Sequence, residues 1–557
     1  MIKGAKIVIE CLIEQGVDTL FAYPGGTIID IFDELYLAKD KIKHVLTSHE
    51  QGASHAADGY ARVSGKTGVV LATSGPGATN LVTGIANAYM DSIPLVAITG
   101  NVPLALLGRD SFQEVDITGV TMPITKHNFM VKDIADLAPT IRRAFEIAAS
   151  GRPGPVLVDI PKNIQQELYE FKPLKPKAIA VPSLDKKQEG LKKAIDLISK
   201  AEKPIFYIGG GVVASGASEA LLSFAESQDI PIASSMMALG VVPYTHRLHL
   251  GMIGMHGRAG VAKAIKFSDT IIALGSRFSD RVATNRLQFG AGKAIVHIDI
   301  DAAELDKNVT TSASVVGDAK SVLEYLSANI KPKKRGAWAG LCADYKKEFP
   351  FKCISTPLCP RKVLSHLRTV SPENQVVATD VGQHQMWTAQ SFEFVKPRTF
   401  VTSGGLGAMG FGLGAAMGAC FANSKKPTYL VTGDGSFHMN LNELSTAVRY
   451  KLPIKIFLLN NSALGMVRQW QNLFYDKRFA GTDLIELPTD YKKLAEAFGA
   501  KYVKLDNDKD IKSKLEGVLT DPFVTIIECT VSPDGVVLPM VPAGKSADEI
   551  ITELSDK

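Results

Sequence analysis

The sequence predicts an α/β protein made of three doubly wound domains, each a parallel sheet covered by helices on both faces. Three observations predict this class. The chain has 557 residues, which at roughly 150 residues per domain corresponds to three or four compact units. Short apolar strand patterns alternate with helical patterns throughout, as βαβ units require. Two stretches that resemble connections, 169–187 and 331–360, divide the chain into three parts of ordinary domain size.

Each part has its own set of predicted elements. After an amphipathic N-terminal helix, the first part has a strand over 68–73, a helix over 79–89, and strands over 94–98 and 156–160. The middle part has strands over 204–208, 230–233, 270–274 and 294–300, and the last part over 375–379, 428–432, 454–459 and 523–528. Such uninterrupted apolar strands are typical of parallel sheets, in which ligands bind beyond the carboxyl ends of the strands.

Composition and charge exclude several classes of protein. Hydrophobic residues make up 46% and charged residues 21% of the chain, which excludes disorder. The net charge of +5 is too dilute for a nucleic-acid partner, and no apolar run is long enough for a membrane span. The one dense basic run, 331–335, is interpreted as a solvated linker.

The cysteines and the N-terminus bear on the compartment. The six cysteines are scattered, include no CxxC pair, and predict neither a zinc site nor a disulfide framework. The N-terminus has no signal-peptide pattern. We therefore expect a cytoplasmic protein, although an organelle protein without its transit peptide would have the same pattern.

Two glycine-rich segments are candidate ligand loops. Residues 405–410 match GxGxxG, but no strand directly precedes them and no acidic residue follows at the spacing of a dinucleotide-binding motif. We interpret these glycines as allowing close helix packing or backbone approach to another ligand. Gly209, Gly210 and Gly211 directly follow a predicted strand and are better placed to bind an anion, without identifying it.

The strongest local pattern joins two neighbouring strands of the last part. Gly433-Asp434-Gly435 ends one strand, and Asn461 follows the next. Because a βαβ crossover lays both strands in one direction, Asp434 and Asn461 are expected at the same sheet edge. One carboxylate and one amide oxygen suit a Mg²⁺ ion that also binds phosphate oxygens. The spacing alone leaves open a second interpretation, in which Asp434 caps a helix and Asn461 forms a turn.

With these residues the sequence resembles the thiamine diphosphate enzymes, in which a GDG motif is followed by a double asparagine. The resemblance covers nearly the whole chain and is closest to the large, catalytic subunit of acetohydroxyacid synthase (acetolactate synthase). The segments that carry it are YPGG at 23–26, HEQGA at 49–53, TSGPGATN at 73–80, FQE at 112–114, SGRPGPV at 150–156, GQHQMW at 382–387 and LGMVRQWQ at 464–471.

The resemblance implies a fold of two thiamine diphosphate-binding domains that flank a Rossmann-like FAD domain. The expected bounds are 1–168 for the pyrimidine-binding domain, 188–330 for the FAD domain, 360–530 for the domain that binds diphosphate and Mg²⁺, and 531–557 for a C-terminal tail. It also implies a homodimer or tetramer with active sites between subunits, and a possible regulatory small subunit.

The resemblance assigns catalytic roles to three residues. Glu50 corresponds to the glutamate that bonds the pyrimidine ring of the cofactor and favours its imino tautomer, while Gln113 and Lys162 match further active-site positions. Ser48 and Gln51 resemble a capping box, which would place Glu50 in the first turn of a helix. Without the resemblance, Glu50 would be interpreted as an ordinary dipole-stabilising glutamate.

Further residues are implied to bind thiamine diphosphate and its metal. Met409 corresponds to the apolar residue that bends the cofactor, although alone it would be interpreted as core packing. Asp434, Asn461 and the Ala463 carbonyl correspond to the Mg²⁺ ligands. The other expected contacts are Tyr23, Pro24, Gly25, Gly26, Thr73, Pro76, Asn80, Val381, Gln383, His384, Gly407, Gly433, Gly435, Ser436, Leu464, Gly465 and Met466.

The implied reaction joins two 2-ketoacids, at the first common step of branched-chain amino acid biosynthesis. Pyruvate loses CO₂, with the cofactor as electron sink, and the remaining two-carbon unit adds to pyruvate or 2-ketobutyrate. The products are 2-acetolactate or 2-aceto-2-hydroxybutyrate. Arg281 is expected to hold the acceptor carboxylate, and Trp470, Met466 and Val467 its alkyl group.

The middle part resembles the FAD domain of the family, where FAD has a structural role. The matching residues are Arg152, Gly209, Gly210, Gly211, Met255, His256, Gly275, Arg277, Asp299 and Asp318. One departure is RFSDR at 277–281, where the family usually has RFDDR. Two alternatives remain open: another thiamine diphosphate enzyme of the same architecture, such as a pyruvate oxidase, and a catalytically silent nucleotide-binding scaffold.

Overall fold

The computed structural model describes residues 1–351, 353, 358–486 and 489–553. Within them, each predicted part of the chain forms a parallel six-stranded sheet. A small antiparallel sheet pairs Ile2–Lys3 with Leu168–Tyr169. The predicted α/β class with three parallel-sheet domains is confirmed. No helix in the described part of the chain is both long and apolar enough to cross a membrane.

The first and third sheets have the same topology. The strand order is 2-1-3-4-6-5 in each, with the strands of each sheet numbered along the chain. The first sheet runs Lys43–Leu46, Thr19–Tyr23, Gly68–Ala72, Leu95–Asn101, Pro155–Pro161, His127–Met130, and the third Phe400–Val401, Val377–Thr379, Thr428–Gly433, Ile454–Asn460, Thr525–Thr530, Lys501–Leu505. The order reverses between the first and third strands, so each sheet has a switch point there, where ligands commonly bind.

The middle sheet has the order 3-2-1-4-5-6, which is the arrangement of dinucleotide-binding domains. Its strands run His249–Met252, Ile232–Ser234, Pro204–Ile208, Thr270–Leu274, Ala294–Asp299 and Ala313–Val316. The switch point lies between Pro204–Ile208 and Thr270–Leu274. The Gly209–Gly211 loop and the Gly275–Arg277 segment directly follow these two strands.

Helices connect the strands of all three sheets. The longer helices are Gly4–Glu14, Ile29–Leu37, Glu50–Ser64, Val82–Asp91, Leu137–Ala149, Glu189–Lys200, Ser218–Gln228, Ala259–Phe267, Ala319–Asn329, Gly336–Glu348, Pro360–Val370, Gln383–Ser391, Phe411–Ala422, Gly465–Phe474 and Tyr491–Phe498. Shorter helices are Pro76–Asn80, Ile117–Thr121, Lys162–Gln166, Gly210–Ala214, Arg286–Phe289, Asp434–Asn440, Leu444–Arg449 and Ile511–Leu515. Both faces of the first sheet are buried, since Val70 and Val69 of one strand belong to different hydrophobic cores.

The first and third domains share one hydrophobic core. Helix Glu50–Ser64 of the first domain packs on helix Phe411–Ala422 of the third, and residues of both belong to the same buried cluster. The two helices approach closely because Gly418 lacks a side chain: a Cβ there would overlap the carbonyl oxygen of Ala56. The helix that begins at Glu50 is therefore fixed by both domains.

Most predicted strands are confirmed, with ends shifted by a few residues. Pro204–Ile208 and Thr270–Leu274 are reproduced exactly as the apolar runs predict, and the predicted helix over 79–89 is two helices. Strands with polar or mixed patterns were not predicted. They include Lys501–Leu505, and also Phe400–Val401, which ends shortly before the GxGxxG segment.

Part of the second predicted connection is ordered. Helix Gly336–Glu348 lies within it, and Arg335 is buried. The Arg335 guanidinium donates hydrogen bonds to the carbonyl oxygens of Ala201, Gln228 and Ile198 at 2.8–2.9 Å. The solvated-linker interpretation is wrong for this arginine, because three backbone acceptors compensate its burial. The domain bounds given above stay predictions.

The cysteine prediction also needs correction. Cys353 and Cys359 form a disulfide. The other four cysteines are free and buried, as expected for thiols that pack as small apolar residues. The separation of the bonded pair is not one of the spacings that mark a cysteine motif in sequence, which is why the pairing was missed.

Candidate active site

Loops at the switch point of the first sheet bring two predicted cofactor segments together. The hydroxyl groups of Thr27 and Thr73 are 2.9 Å apart, and a Cβ at Gly25 would overlap the Thr73 side chain. Lys162 directly follows the strand Pro155–Pro161, and its ammonium donates to the Gly26 carbonyl at 3.1 Å. The YPGG segment, the start of TSGPGATN and Lys162 therefore lie at one sheet edge.

Glu50 lies in the first turn of its helix, as predicted, and is its first residue, but the cap is different. His49 is the N-cap, and its Nδ1 accepts a hydrogen bond from the Gln51 N–H at 3.1 Å. The Ser48 hydroxyl instead lies 2.6 Å from the Ser445 hydroxyl in the third domain. The capping-box prediction is wrong because the Ser48 hydroxyl is hydrogen-bonded to a distant segment and does not cap the helix.

The Glu50 carboxylate is buried against the TSGPGATN loop. Its Oε2 accepts a hydrogen bond from the Asn80 side-chain amide at 2.9 Å. Its Oε1 faces Gly77, where a Cβ would lie 3.2 Å away. Gln113 has a left-handed backbone, with φ of 59°. It packs against Gly75, where an added Cβ would lie 2.9 Å from the Cβ of Gln113. Glu50, Asn80 and Gln113 thus meet around one loop, which begins its short helix at Pro76.

The third domain places Asp434 and Asn461 at one sheet edge. Their strands are parallel neighbours, with Gly433 paired to Leu459. Asp434 is the first residue of a helix whose N-cap is Gly433. The Asn461 side-chain oxygen accepts the Ala463 N–H at 3.1 Å. The predicted shared edge is confirmed.

The Asp434 carboxyl is buried, and burial raises its pKa to about 6. Backbone N–H groups oppose this shift, including those of Ser462 and Ala463, so the carboxyl faces the segment that follows Asn461. Among the described residues, no group of three or more His, Cys, Asp or Glu side chains could hold a metal ion. A cation here would rely on one carboxylate, the Asn461 amide, a backbone carbonyl and phosphate oxygens.

Gln383 and His384 complete this edge. The Asn461 amide nitrogen lies 3.4 Å from the Gln383 side-chain oxygen, and a Cβ at Gly465 would overlap that oxygen. A Cβ at Gly433 would lie 2.9 Å from His384 Nδ1. Burial lowers the pKa of His384 to about 3, and its Nε2 has no hydrogen-bond partner within the described residues.

Two further contacts join the predicted cofactor residues at this edge. Ser436 donates its hydroxyl to the Val381 carbonyl at 2.9 Å. A Cβ at Gly435 would overlap the Leu464 side chain, so the GDG turn and the segment after Asn461 are in direct contact. The predicted cofactor residues that follow the strands Val377–Thr379, Thr428–Gly433 and Ile454–Asn460 therefore lie together at one sheet edge.

A cavity of about 1510 Å³ lies among the three domains. All residues predicted to bind FAD line this cavity, and so do Met409 and the residues predicted to bind the acceptor ketoacid. The predicted residues in its lining are Arg152, Gly209, Gly210, Gly211, Met255, His256, Gly275, Arg277, Arg281, Asp299, Asp318, Val381, Gly407, Met409, Met466, Val467 and Trp470. Glu50 and Asp434 are not among the described lining residues.

Several of the charged lining residues already have protein partners. Arg152 pairs with Glu304 at 2.7 Å and Asp301 at 3.2 Å. Asp318 caps the helix that follows it, through the Ser321 N–H at 3.0 Å. Asp299 at the end of its strand is buried, which raises its pKa to about 6. These residues can shape a ligand site without being free to form a full ion pair with the ligand.

Three buried polar atoms in the cavity lining lack a partner among the described residues. They are the Ser235 and Ser276 hydroxyls and His256 Nε2. Buried polar groups are normally hydrogen-bonded, so these atoms point to a polar ligand. Sequence reasoning missed Ser235, although its place directly after the strand Ile232–Ser234 could have indicated it.

Arg281 and Trp470 face the cavity in different ways. The Arg281 side chain is 64% exposed, and its only described carboxylate neighbour, Asp280, lies 3.9 Å away. Such a weak, exposed pair leaves the guanidinium able to bind an anion. Trp470 contacts Phe474 in a tilted arrangement with ring centroids 5.1 Å apart, and packs against an apolar cluster that contains Met255.

Comparison with known proteins agrees with this geometry. Three family models match in order: the N-terminal TPP binding domain of thiamine pyrophosphate enzymes at 2–120, their central domain at 191–326, and their C-terminal TPP binding domain at 380–529. A probable acetolactate synthase large subunit of Methanocaldococcus jannaschii is 44% identical, over 99% of this chain and 95% of the relative.

An acetolactate synthase of Mycobacterium bovis is 43% identical, over 99% of this chain and 91% of the relative. An acetolactate synthase large subunit of Corynebacterium glutamicum is 43% identical, over 98% of this chain and 90% of the relative. The chain belongs to the acetolactate synthase family. Within this acetolactate synthase fold, Glu50 lies in the part matched by the N-terminal TPP binding domain, and Asp434 in the part matched by the C-terminal one.

Proposed function

We propose that this chain is the catalytic subunit of an acetolactate synthase, which decarboxylates pyruvate and joins the remaining two-carbon unit to a second 2-ketoacid. The observation that carries the proposal is the buried Glu50 carboxylate, held by Asn80 in the domain that matches the N-terminal TPP binding model. When bound, thiamine diphosphate supplies the electron sink for the loss of CO₂.

Glu50 is proposed to hold a proton against the ring nitrogen N1′ of the cofactor pyrimidine. Asn80 donates to one carboxylate oxygen and the other faces Gly77, so the group is oriented before the cofactor binds. The Gly25–Gly26 and Gly75–Gly77 turns allow close approach of a flat ring. Gln113 and Lys162 are proposed to face substrate at the same edge.

At the other end of the cofactor, Asp434, Asn461 and the Ala463 carbonyl are proposed to hold Mg²⁺ and, through it, the diphosphate. The donor set is hard oxygen, as Mg²⁺ requires. The His384 ring lies next to Gly433, and its Nε2, which has no partner in the described part of the chain, supports a polar ligand there. Met409 in the cavity lining is proposed to support the bent cofactor.

Arg281 is proposed to hold the acceptor carboxylate, and Trp470, Met466 and Val467 its alkyl group. The exposed guanidinium in the cavity and the apolar contacts of Trp470 support this division. The same apolar wall excludes water, which would otherwise divert the two-carbon unit to acetaldehyde.

FAD is proposed to bind at the middle domain in a structural role. The sheet order and the glycine loops at its switch point fit a dinucleotide. So do the three polar atoms of Ser235, Ser276 and His256 that find no partner among the residues the structure describes. The change to Ser279 in the RFSDR segment removes one carboxylate from the lining without closing the cavity.

Active sites are proposed to form between two copies of the chain. The segment around Gln113 exposes large apolar side chains: Phe112 is 88% and Met122 67% exposed. Large apolar side chains exposed to this extent fit a surface that contacts another chain. The relatives named large subunits also support a regulatory small subunit as a partner. Cytoplasmic location stays a prediction.

The direct test is product analysis with purified protein, thiamine diphosphate and Mg²⁺, given pyruvate and 2-ketobutyrate with and without FAD. We expect 2-acetolactate and 2-aceto-2-hydroxybutyrate. Hydrogen peroxide in place of these products would indicate a pyruvate oxidase, and the absence of any CO₂ release would indicate a catalytically silent protein.

A further inference from the structure

The loop before Glu50 is held by the third domain. The Leu46 N–H donates to the Tyr450 hydroxyl at 2.8 Å, and the Ser48 hydroxyl lies 2.6 Å from that of Ser445. Both partners belong to the segment 443–450, nearly four hundred residues away in sequence. The position of the helix start is therefore set by tertiary contacts with another domain.

Glu443 is at the centre of this contact. Its carboxylate accepts the Ser48 N–H at 3.1 Å and the His49 N–H at 3.0 Å, and the Thr446 hydroxyl at 2.7 Å. The side chain is fully buried. All described partners are donors, which is the environment that satisfies an ionised carboxylate.

The approach of Glu443 to this helix depends on Gly52. A Cβ at Gly52 would overlap Glu443 Oε1. Burial raises the pKa of Glu443, and the nearby Glu50 charge adds to the shift, while the bonds from Thr446, Ser48 and His49 oppose it. A buried carboxylate close to a second one is costly, so its hydrogen bonds must be largely complete for the fold to tolerate it.

We propose that Glu443 is a positioning residue for Glu50: it fixes the two backbone N–H groups that precede Glu50 and thereby the orientation of the Glu50 carboxylate. This inference rests on the proposed function. In the proposed function, Glu443 contacts neither substrate nor cofactor and acts only through the backbone of residues 48–49. Nothing in the GDG motif, nine residues earlier, requires a carboxylate at this place.

The test compares Glu443→Ala with two other variants. Gly52→Ala places a Cβ where Glu443 Oε1 lies, so it displaces the carboxylate but keeps its charge, and it serves as the test if Glu443→Ala does not fold. Asp269→Ala is the matched control, because Asp269 also accepts two backbone N–H groups, from Glu202 and Lys203, but in the middle domain. It reports the effect of losing such a carboxylate away from the site.

Two readouts are measured. In cofactor-free protein, amide hydrogen exchange of the 47–53 segment is expected to accelerate in Glu443→Ala and Gly52→Ala, and to stay unchanged in Asp269→Ala. In the complete enzyme, kcat for pyruvate and the exchange rate of the cofactor C2 proton are expected to fall about 10- to 100-fold in the first two variants, with KM within twofold, because a small misplacement of a catalytic group has effects of this size.

Unchanged kcat and C2 exchange in folded Glu443→Ala or Gly52→Ala would overturn the inference, as would a loss of rate without faster exchange of the 47–53 segment. An inactive wild-type protein would instead refute the proposed function. The amide-exchange result in cofactor-free protein distinguishes the two failures.

Discussion

The side-chain amide of Asn80 donates a hydrogen bond to Oε2 of Glu50 at 2.9 Å. The two residues come from different segments of the first domain, and their contact fixes a buried carboxylate at a sheet edge. Asn80 was expected to bind the cofactor directly. In the structure its amide is bonded to Glu50, where it can orient the carboxylate, and its contact with the cofactor stays a prediction.

Replacing Glu50 with Gln should lower kcat strongly and leave the fold intact. The amide has nearly the same shape, but it cannot exchange a proton as the carboxyl does, and such proton transfer contributes roughly 10²- to 10⁴-fold. Steady-state kinetics with pyruvate, together with thermal unfolding, check this. Asn80→Ala is the comparison, and we expect a smaller fall in kcat for it than for Glu50→Gln. A wild-type kcat in Glu50→Gln would defeat the assignment.

Replacing Asp434 with Asn should raise the Mg²⁺ concentration needed for half-maximal activity by roughly tenfold or more, because even outer-shell partners of a metal contribute that much to its affinity. Titration of activity with Mg²⁺ measures the shift. Asp490→Asn is the control, since Asp490 caps a surface helix through the Lys493 N–H at 3.0 Å. If both variants behave alike, Asp434 has only a local structural role.

Replacing Trp470 with Leu should shift acceptor choice toward pyruvate. The smaller side chain loses apolar contact with the longer alkyl group, and a difference of one methylene is discriminated about tenfold or more in such pockets. The product ratio from an equimolar mixture of pyruvate and 2-ketobutyrate reports the change. Phe523→Leu, at an exposed aromatic outside the cavity lining, should leave the ratio unaltered.

Stability should depend on pH through Asp159. Burial raises the pKa of Asp159 to about 7, although hydrogen bonds from Asn101 at 2.6 Å and Thr99 at 2.7 Å oppose the shift. Because the folded pKa is above the unfolded value, the neutral form stabilises the fold at low pH. That contribution is lost as pH rises through about 7.

Asp159→Asn should remove this dependence. The Tm of the variant relative to wild type should therefore increase between pH 5 and pH 8, as measured by thermal unfolding of cofactor-free protein. A constant difference in Tm across this range would show that Asp159 does not titrate there.

Local patterns predicted those parts of the fold and site that depend on local physics. Apolar runs such as Thr270–Leu274 must be buried on both faces, and the rule for βαβ crossovers then placed Asp434 and Asn461 at one edge. Edge strands such as Lys501–Leu505 lack such runs, because one side is less buried, and they were missed.

Long-range contacts explain the remaining differences. The cap of the Glu50 helix, the burial of Arg335 and the carboxylate of Glu443 each depend on partners far away in sequence. No local pattern encodes which distant carbonyl or amide a side chain will meet. The catalytic roles came from the family resemblance, since Glu50 and Met409 have no distinctive local signal.

The most direct measurement of the central claim is a crystal structure of the protein soaked with thiamine diphosphate and Mg²⁺. We predict density for the cofactor between two subunits, with the pyrimidine N1′ against Glu50 of one copy and the metal on Asp434 and Asn461 of the other. Empty clefts at these residues, or cofactor density elsewhere, would contradict the account.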